Sequence, residues 1–181
     1  MTRRRWLAST PLTAAVLAAQ EHAHQAARSP QPPAFAAFAA LTGAEAREIE
    51  AIAAQIIPAD DTPGAREAGV IYFIDRALAT FDKDKRAVYT EGLKDLDARR
   101  ATLFPGSRSF AELDSDSQIR LLRAIEKSDF FELVRSHAIL GFFGNPSYGG
   151  NRDQIGWKLI GFEDRAQFQP PFGYYDAEPK G

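Results

Sequence analysis

Asp60 and Asp61 stand side by side between two apolar periodic segments, and adjacent carboxylates of this kind can hold a divalent cation or share acid and base work. The same pair can instead satisfy turn N–H groups and favour the dipole of a helix starting nearby. His137 is the third candidate, because imidazole titrates near neutrality and ligates metals. Its helix-spaced neighbours Phe130, Leu133, Val134 and Gly141 also fit a hydrogen-bonded core or interface histidine. The other histidines, His22 and His24, lie near the N-terminus, and cysteine is absent. That absence removes disulfides, thiolate nucleophiles, Fe–S ligation, haem attachment through C-x-x-C-H and a lipidated N-terminal cysteine. One body histidine without cysteine does not make an ordinary zinc or copper site. A metal-dependent hydrolase would need more ligands than Asp60, Asp61 and His137. No G-x-S-x-G, Walker loop, dinucleotide fingerprint or H-E-x-x-H occurs. Gly141-x-x-Gly144 and Gly149-Gly150 follow no strand, so they are not phosphate cradles. With 22 basic and 24 acidic residues, net charge −2, there is no global basic field for nucleic acid, and Arg99-Arg100 is too short a cluster to supply one.

Helices must position these residues. A chain of 181 residues, 45% of them hydrophobic, suffices for one domain with a core. Thr42-Gly43-Ala44-Glu45 has the spacing of a capping box, and Ile49, Ile52, Ala53 and Ile56 follow on one face up to Pro58. Thr62-Pro63 reads as the opening of a second helix, with Val70, Phe73, Ile74, Ala77, Leu78 and Phe81 as its apolar face. A third runs from about Asp84 through Tyr89, Leu93, Leu96 and Leu103, ending before Pro105-Gly106. Ser115-Asp116-Ser117-Gln118 is a second capping box, opening a helix with Ile119, Leu122 and Ile125. The fifth, from about Ser128 toward Phe143, is apolar on most sides (Phe130, Phe131, Leu133, Val134, Ile139, Leu140), as in a buried central helix. Asn145-Pro146 breaks it. Asn151 with Gln154 caps one short last helix through Ile155, Leu159 and Ile160, with Gly161 as its stop. No segment shows strict two-residue alternation with hairpin turns. The expected fold is all-α, a single small domain of about five to six helices, with an irregular aromatic Gly/Pro-rich tail from Phe168 to Tyr175.

The first residues read as an address. Arg3, Arg4 and Arg5 precede Trp6 and Leu7, and no charge occurs from Trp6 to Gln20. The run is shorter than the ~20 apolar residues of a membrane span, and Ser9, Thr10, Pro11 and Thr13 interrupt it. A cleavable signal peptide fits it better than an anchor. Thr2-Arg3-Arg4-x-Trp6-Leu7 resembles the twin-arginine export signal, with Ala8 where lysine is frequent. Pro30, Pro32 and Pro33 then mark a linker. The expected organisation is a signal peptide and linker over residues 1–33 and a helical domain over 34–181, in a protein exported to the periplasm.

Two segments are denser in Gly, Pro, Asn and Asp than packing alone requires. One is Ile56-Ile57-Pro58-Ala59-Asp60-Asp61-Thr62-Pro63-Gly64-Ala65, continued by Arg66 to Arg76. The other runs from Asn145-Pro146-Ser147-Tyr148-Gly149-Gly150-Asn151-Arg152-Asp153 to Phe162. Together they resemble the small subunit of membrane-associated gluconate 2-dehydrogenase, the subunit 3 family, over roughly residues 42–165 plus the export signal. That resemblance implies a chain with no cofactor and no catalysis of its own. FAD is expected in a large dehydrogenase partner acting on a sugar, sugar acid or glycoside, and haem c in a possible cytochrome c subunit. The partner would be exported through the twin-arginine translocase with this chain, leaving the complex peripheral to the inner membrane. A free-standing exported helical binding module is the alternative. Interface centres favour aromatic and arginine anchors, so Tyr148, Asn151, Arg152 and Trp157, helped by Tyr174 and Tyr175, are the expected partner-binding residues. Trp157 fits a core plug equally well.

Overall fold

A computed structural model describes residues 38–165 and residue 167, all within the unit Ala36–Gly181. The described residues form six α-helices and no strand: α1 Gly43–Ile56, α2 Val70–Ala79, α3 Arg86–Leu103, α4 Ser115–Ile125, α5 Asp129–Phe143 and α6 Ile155–Ile160. Short 3-10 turns cover Lys83–Lys85, Pro146–Tyr148 and Arg152–Gln154. Helix α5 packs against α1, α2, α3 and α6, most extensively against α2, while α4 closes over α1 and α3. Ile49 and Ile52 of α1, Ile74 of α2 and Val134, Ala138 and Phe142 of α5 are fully buried at the centre.

Helix α1 starts as the capping box requires. Glu45 N–H donates to Thr42 Oγ1 at 3.2 Å, and Thr42 N–H donates to Glu45 Oε2 at 2.8 Å. Helix α2 starts later than Thr62-Pro63 suggests. Thr62 N–H and its hydroxyl are both taken by Asp60 Oδ1, at 2.8 and 2.9 Å, which closes a turn there. A loose turn from Ala65 follows, and the chain passes through Gly69 at φ +67° before α2 begins at Val70. A left-handed residue cannot continue a right-handed helix, and glycine takes it without a Cβ clash. The helix ends at Ala79, so Phe81 falls beyond it and is 56% exposed.

Three further expectations change. The N-cap of α4 is Asp114, whose Oδ1 accepts Ser117 N–H at 2.9 Å, so the cap sits one residue before Ser115 and Ile119 turns to the surface. Helix α5 is central but not enclosed, since Ile139 and Leu140 are 40% and 52% exposed. Leu103, Leu159 and Ile160 are exposed rather than core.

Entry of the chain into the domain is fixed by one buried carboxylate. Asp75 on α2 accepts the N–H groups of Ala39, Ala40 and Leu41 at 2.8, 2.9 and 3.0 Å. These three donors precede α1 and have no helical partner. Arg86 at the start of α3 completes the clamp, bonding Ala40 O at 3.1 Å and Glu45 Oε1 at 2.7 Å. Replacing Asp75 with alanine strands those donors. Asp75→Ala should lower the unfolding free energy by about 2–4 kcal/mol, measured by urea titration.

Candidate functional site

A helix leaves its last four carbonyls without intrahelical donors, and at the end of α5 these groups point into the protein. The loop that follows supplies the donors. Asn151 N–H bonds Gly141 O at 2.7 Å, Asn151 Nδ2 bonds Gly144 O at 2.8 Å, and Trp157 Nε1 bonds Phe143 O at 2.6 Å. Asn151 Oδ1 also accepts Gly156 N–H at 2.8 Å, in the first turn of α6. Asparagine has one acceptor oxygen and a two-donor amide, and here it ties one helix end to the next helix start. Its side chain is fully buried. Close approach makes these bonds possible, because a Cβ at Gly150 would lie 2.1 Å from Gly141 O.

The loop is folded tightly to reach these carbonyls. Asn151, Asp153 and Gln154 all take positive φ, at 46°, 55° and 59°, a conformation that costs non-glycine residues about 1–2 kcal/mol each. Gln154 therefore stands at the α6 N-cap without a capping bond, and Asn151 serves that helix from farther back. Gly161 ends α6 in the left-handed conformation, as expected.

The two Gly/Pro-rich segments meet in space. Arg152 N–H donates to Ala68 O at 2.9 Å, and the Arg152 guanidinium lies over the Tyr72 ring at 5.3 Å, a favourable cation–π placement. Arg76 of α2 reaches across to donate to the Ser147 carbonyl. Beside these contacts a groove of about 370 Å³ opens, lined by Phe73, Phe81, Leu140, Gly144, Asn145 and Tyr148. Phe81, Leu140 and Tyr148 are each more than half exposed. Farther along the chain, Leu159, Ile160 and Phe162 are 48%, 60% and 46% exposed. Most of the exposed large apolar side chains of the described residues thus belong to the Ile139–Phe162 segment and the adjoining Phe81. Isolated exposed apolar residues are ordinary, but clusters mark interaction surfaces.

The chemical candidates have structural partners. His137 is buried between α3, α5 and the turn after α2. Its Nδ1 meets Tyr89 Oη at 3.0 Å and its Nε2 meets Asp82 Oδ2 at 3.2 Å. A proton on Nε2 satisfies both contacts, with the Tyr89 hydroxyl donating to Nδ1 and Nε2–H donating to Asp82. Burial, followed by the Asp82 charge, pushes the Tyr89 phenol far above its usual range, so it stays a donor. Burial also lowers the pKa of His137, outweighing the opposing attraction of Asp82. Phe73 meets the imidazole edge-on, with centroids 6.1 Å apart. Tyr89 and His137 are 0% and 2% exposed, so both rings are enclosed by the fold. Asp60 is held below the usual carboxylate range by its hydrogen bonds from Thr62, and Asp61 is exposed beside it. Among the described residues, no three His, Cys, Asp or Glu side chains gather closely enough to hold a metal ion.

Of the expected docking residues, Tyr148 is on the surface and Arg152 is half-buried at its edge. Asn151 and Trp157 face inward, Trp157 being 7% exposed with its indole N–H bonded to Phe143 O. Tyr174 and Tyr175 lie outside the described residues, as do Arg3, Arg4, Trp6, Leu7 and the expected boundary at 33/34. Phe81, Leu140, Leu159 and Ile160 read in the sequence as apolar helix faces rather than docking residues, and Phe162 was not among the expected docking residues either. For Leu140 the signal was an apolar excess: α5 carries more large side chains than one buried face can accept.

A family comparison covers both segments. A family model described as gluconate 2-dehydrogenase subunit 3 matches residues 43–164. The chain belongs to that family. No curated protein and no solved structure gives a significant match. The match to the subunit 3 family includes both Gly/Pro-rich segments and all six helices.

Two outcomes follow for this subunit 3 chain. Asn151→Ala removes the acceptor of Gly156 N–H and the donor to Gly144 O, and should cost about 2–4 kcal/mol in urea unfolding. His137 has the opposite pH signature to a salt-bridged histidine. Its folded pKa lies below the unfolded value, so the unfolded chain takes up the proton first as pH falls. The stability His137 contributes is therefore complete above its ordinary value of 6.5 and is lost as pH drops through the lowered folded pKa. Unfolding free energies measured across this range should fall more steeply in the wild type than in His137→Gln.

Proposed function

We propose that this chain is the non-catalytic accessory subunit of an exported FAD-dependent sugar or sugar-acid dehydrogenase. The observation that carries the reading is the concentration of exposed apolar side chains along the end of α5, the following loop and α6, adjoining Phe81. Family membership supports it by description, since a numbered subunit of gluconate 2-dehydrogenase assembles with other chains. The titratable candidates support it too, because His137, Tyr89 and Asp60 are engaged in holding the fold. In this reading the large partner carries FAD and performs the oxidation, and a cytochrome c subunit with haem c takes the electrons. The chain contributes no cofactor. It stabilises the flavoprotein by covering an apolar face, and the Arg3-Arg4 signal takes both to the periplasm through the twin-arginine translocase. The complex stays peripheral to the inner membrane, and no helix among the described residues is long and apolar enough to cross it.

Co-expression tests the reading. The tagged chain should recover a stoichiometric flavin-containing dehydrogenase subunit from a periplasmic extract, and alone it should bind no flavin and oxidise no sugar. Lysine at both Arg3 and Arg4 should leave the two chains in the cytoplasm together. Recovery of a catalytically active isolated chain, or export of the flavoprotein unchanged by that double substitution, overturns the accessory role or the shared signal respectively.

A further inference from the structure

We propose that the groove between Phe81, Leu140 and Tyr148 receives one large apolar side chain of the flavoprotein subunit, borne on a segment whose carboxylate pairs with Arg76. The inference rests on the docking role above and adds the chemistry of what docks. The groove has the volume of a small binding pocket, about 370 Å³, with Phe73 in its wall. Its lining includes no charged side chain, so it favours an apolar occupant. One guanidinium stands at its edge. Arg76 stands one helical turn after Phe73, is exposed, and is held at the groove edge by its bond to the Ser147 carbonyl. Arg152 is oriented nearby on the Tyr72 ring. Ion pairs among the described residues engage Arg66, Arg86, Arg99, Arg100, Arg108, Arg135 and Arg165, and none of these pairs involves Arg76.

A guanidinium group held beside an apolar slot complements an acidic-and-apolar segment. Pre-oriented guanidinium recognises carboxylate geometry with little further ordering. A second copy of this chain is a poorer occupant. A two-fold interface centred on the groove would set Arg76 of one copy near Arg76 of the other. The exposed apolar side chains of α6 follow the groove residues along the same stretch of chain, and the accessory role already gives them to the large subunit.

The test uses the full chain co-expressed with the large subunit. Benzoyl-phenylalanine replaces Leu140 in one sample and Ile160 in another, and photo-crosslinked peptides from the purified complex are sequenced. Leu140 should crosslink to a large-subunit segment with Asp or Glu within a few residues. Arg76→Glu should weaken the complex about tenfold or more, and Arg at the identified partner carboxylate should restore it in the Arg76→Glu background. Leu140→Glu should abolish docking with the thermal midpoint of the isolated chain unchanged, which separates lost binding from lost folding. Crosslinks from Leu140 only to residues 168–181 of the same chain, only to a second copy, or to a partner segment without a carboxylate overturn the inference. So does undiminished affinity in Arg76→Glu. If Ile160 crosslinks to the large subunit while Leu140 does not, this inference fails and the accessory role stands; if no flavoprotein joins the complex, both fail.

Discussion

The C-terminal carbonyls of α5 impose the constraint on which the rest of the surface depends. Helix α5 sits against four other helices, so its end is drawn inward, where water cannot serve its orphan C=O groups. Asn151 and Trp157 serve them instead. Once Asn151 is anchored in this way, its neighbours have little freedom. Arg152 is carried over Tyr72, Tyr148 is left at the groove, and α6 is started by the same amide oxygen that an extended loop could not have placed there. Positive φ at Asn151, Asp153 and Gln154 is the conformational cost of this arrangement, offset by buried hydrogen bonds that would otherwise be missing.

Polar chemistry inside the domain is devoted to joining separate elements. Asp75 gathers the chain entry, His137 links Tyr89 to Asp82, and Asn151 links α5 to α6. Each buried polar group finds a partner, as burial in a low-dielectric interior requires, and no buried side-chain nitrogen or oxygen among the described residues is left without one. The outer face of the α5–α6 region has the reverse character, apolar side chains facing out with guanidinium groups at the edge. A surface of that composition suits association better than chemistry. Phe73 touches both regimes, with one edge on the His137 ring and its side chain in the groove wall. Occupancy of the groove and rigidity of the polar network therefore share a side chain.

Much of the architecture was legible in the sequence because it is local. The Thr42/Glu45 capping box, the apolar faces of α1 and α2, Ser128 at the start of α5 and Gly161 at the end of α6 follow from hydrogen-bond needs within a few residues and from the 3.6-residue repeat. The two Gly/Pro-rich segments were legible as special, and their residues carried the family assignment. Errors arose where a local signal had two physical outcomes. Thr62-Pro63 can begin a helix or close a turn, and the Asp60 carboxylate decided for the turn. Asp114 and Ser115 can both cap a helix, and the carboxylate took the role.

Tertiary structure alone decided which apolar residues face outward. Periodicity assigns a side chain to a helix face, but only the placement of neighbouring helices says whether that face is covered. Leu140 and Val134 are both apolar residues of α5, yet one is half exposed and the other fully buried, because α1, α2 and α3 surround one side of the helix and leave the other open. The same holds for Trp157 and Tyr148. The sequence determined that both belong to an aromatic, glycine-rich segment of unusual composition. The orphan carbonyl of Phe143 drew the indole inward, while the turn around Gly149 left the phenol at the surface. Short-range hydrogen bonding fixed the helices and their ends; long-range demand for buried donors fixed which side chains remained free to meet another protein.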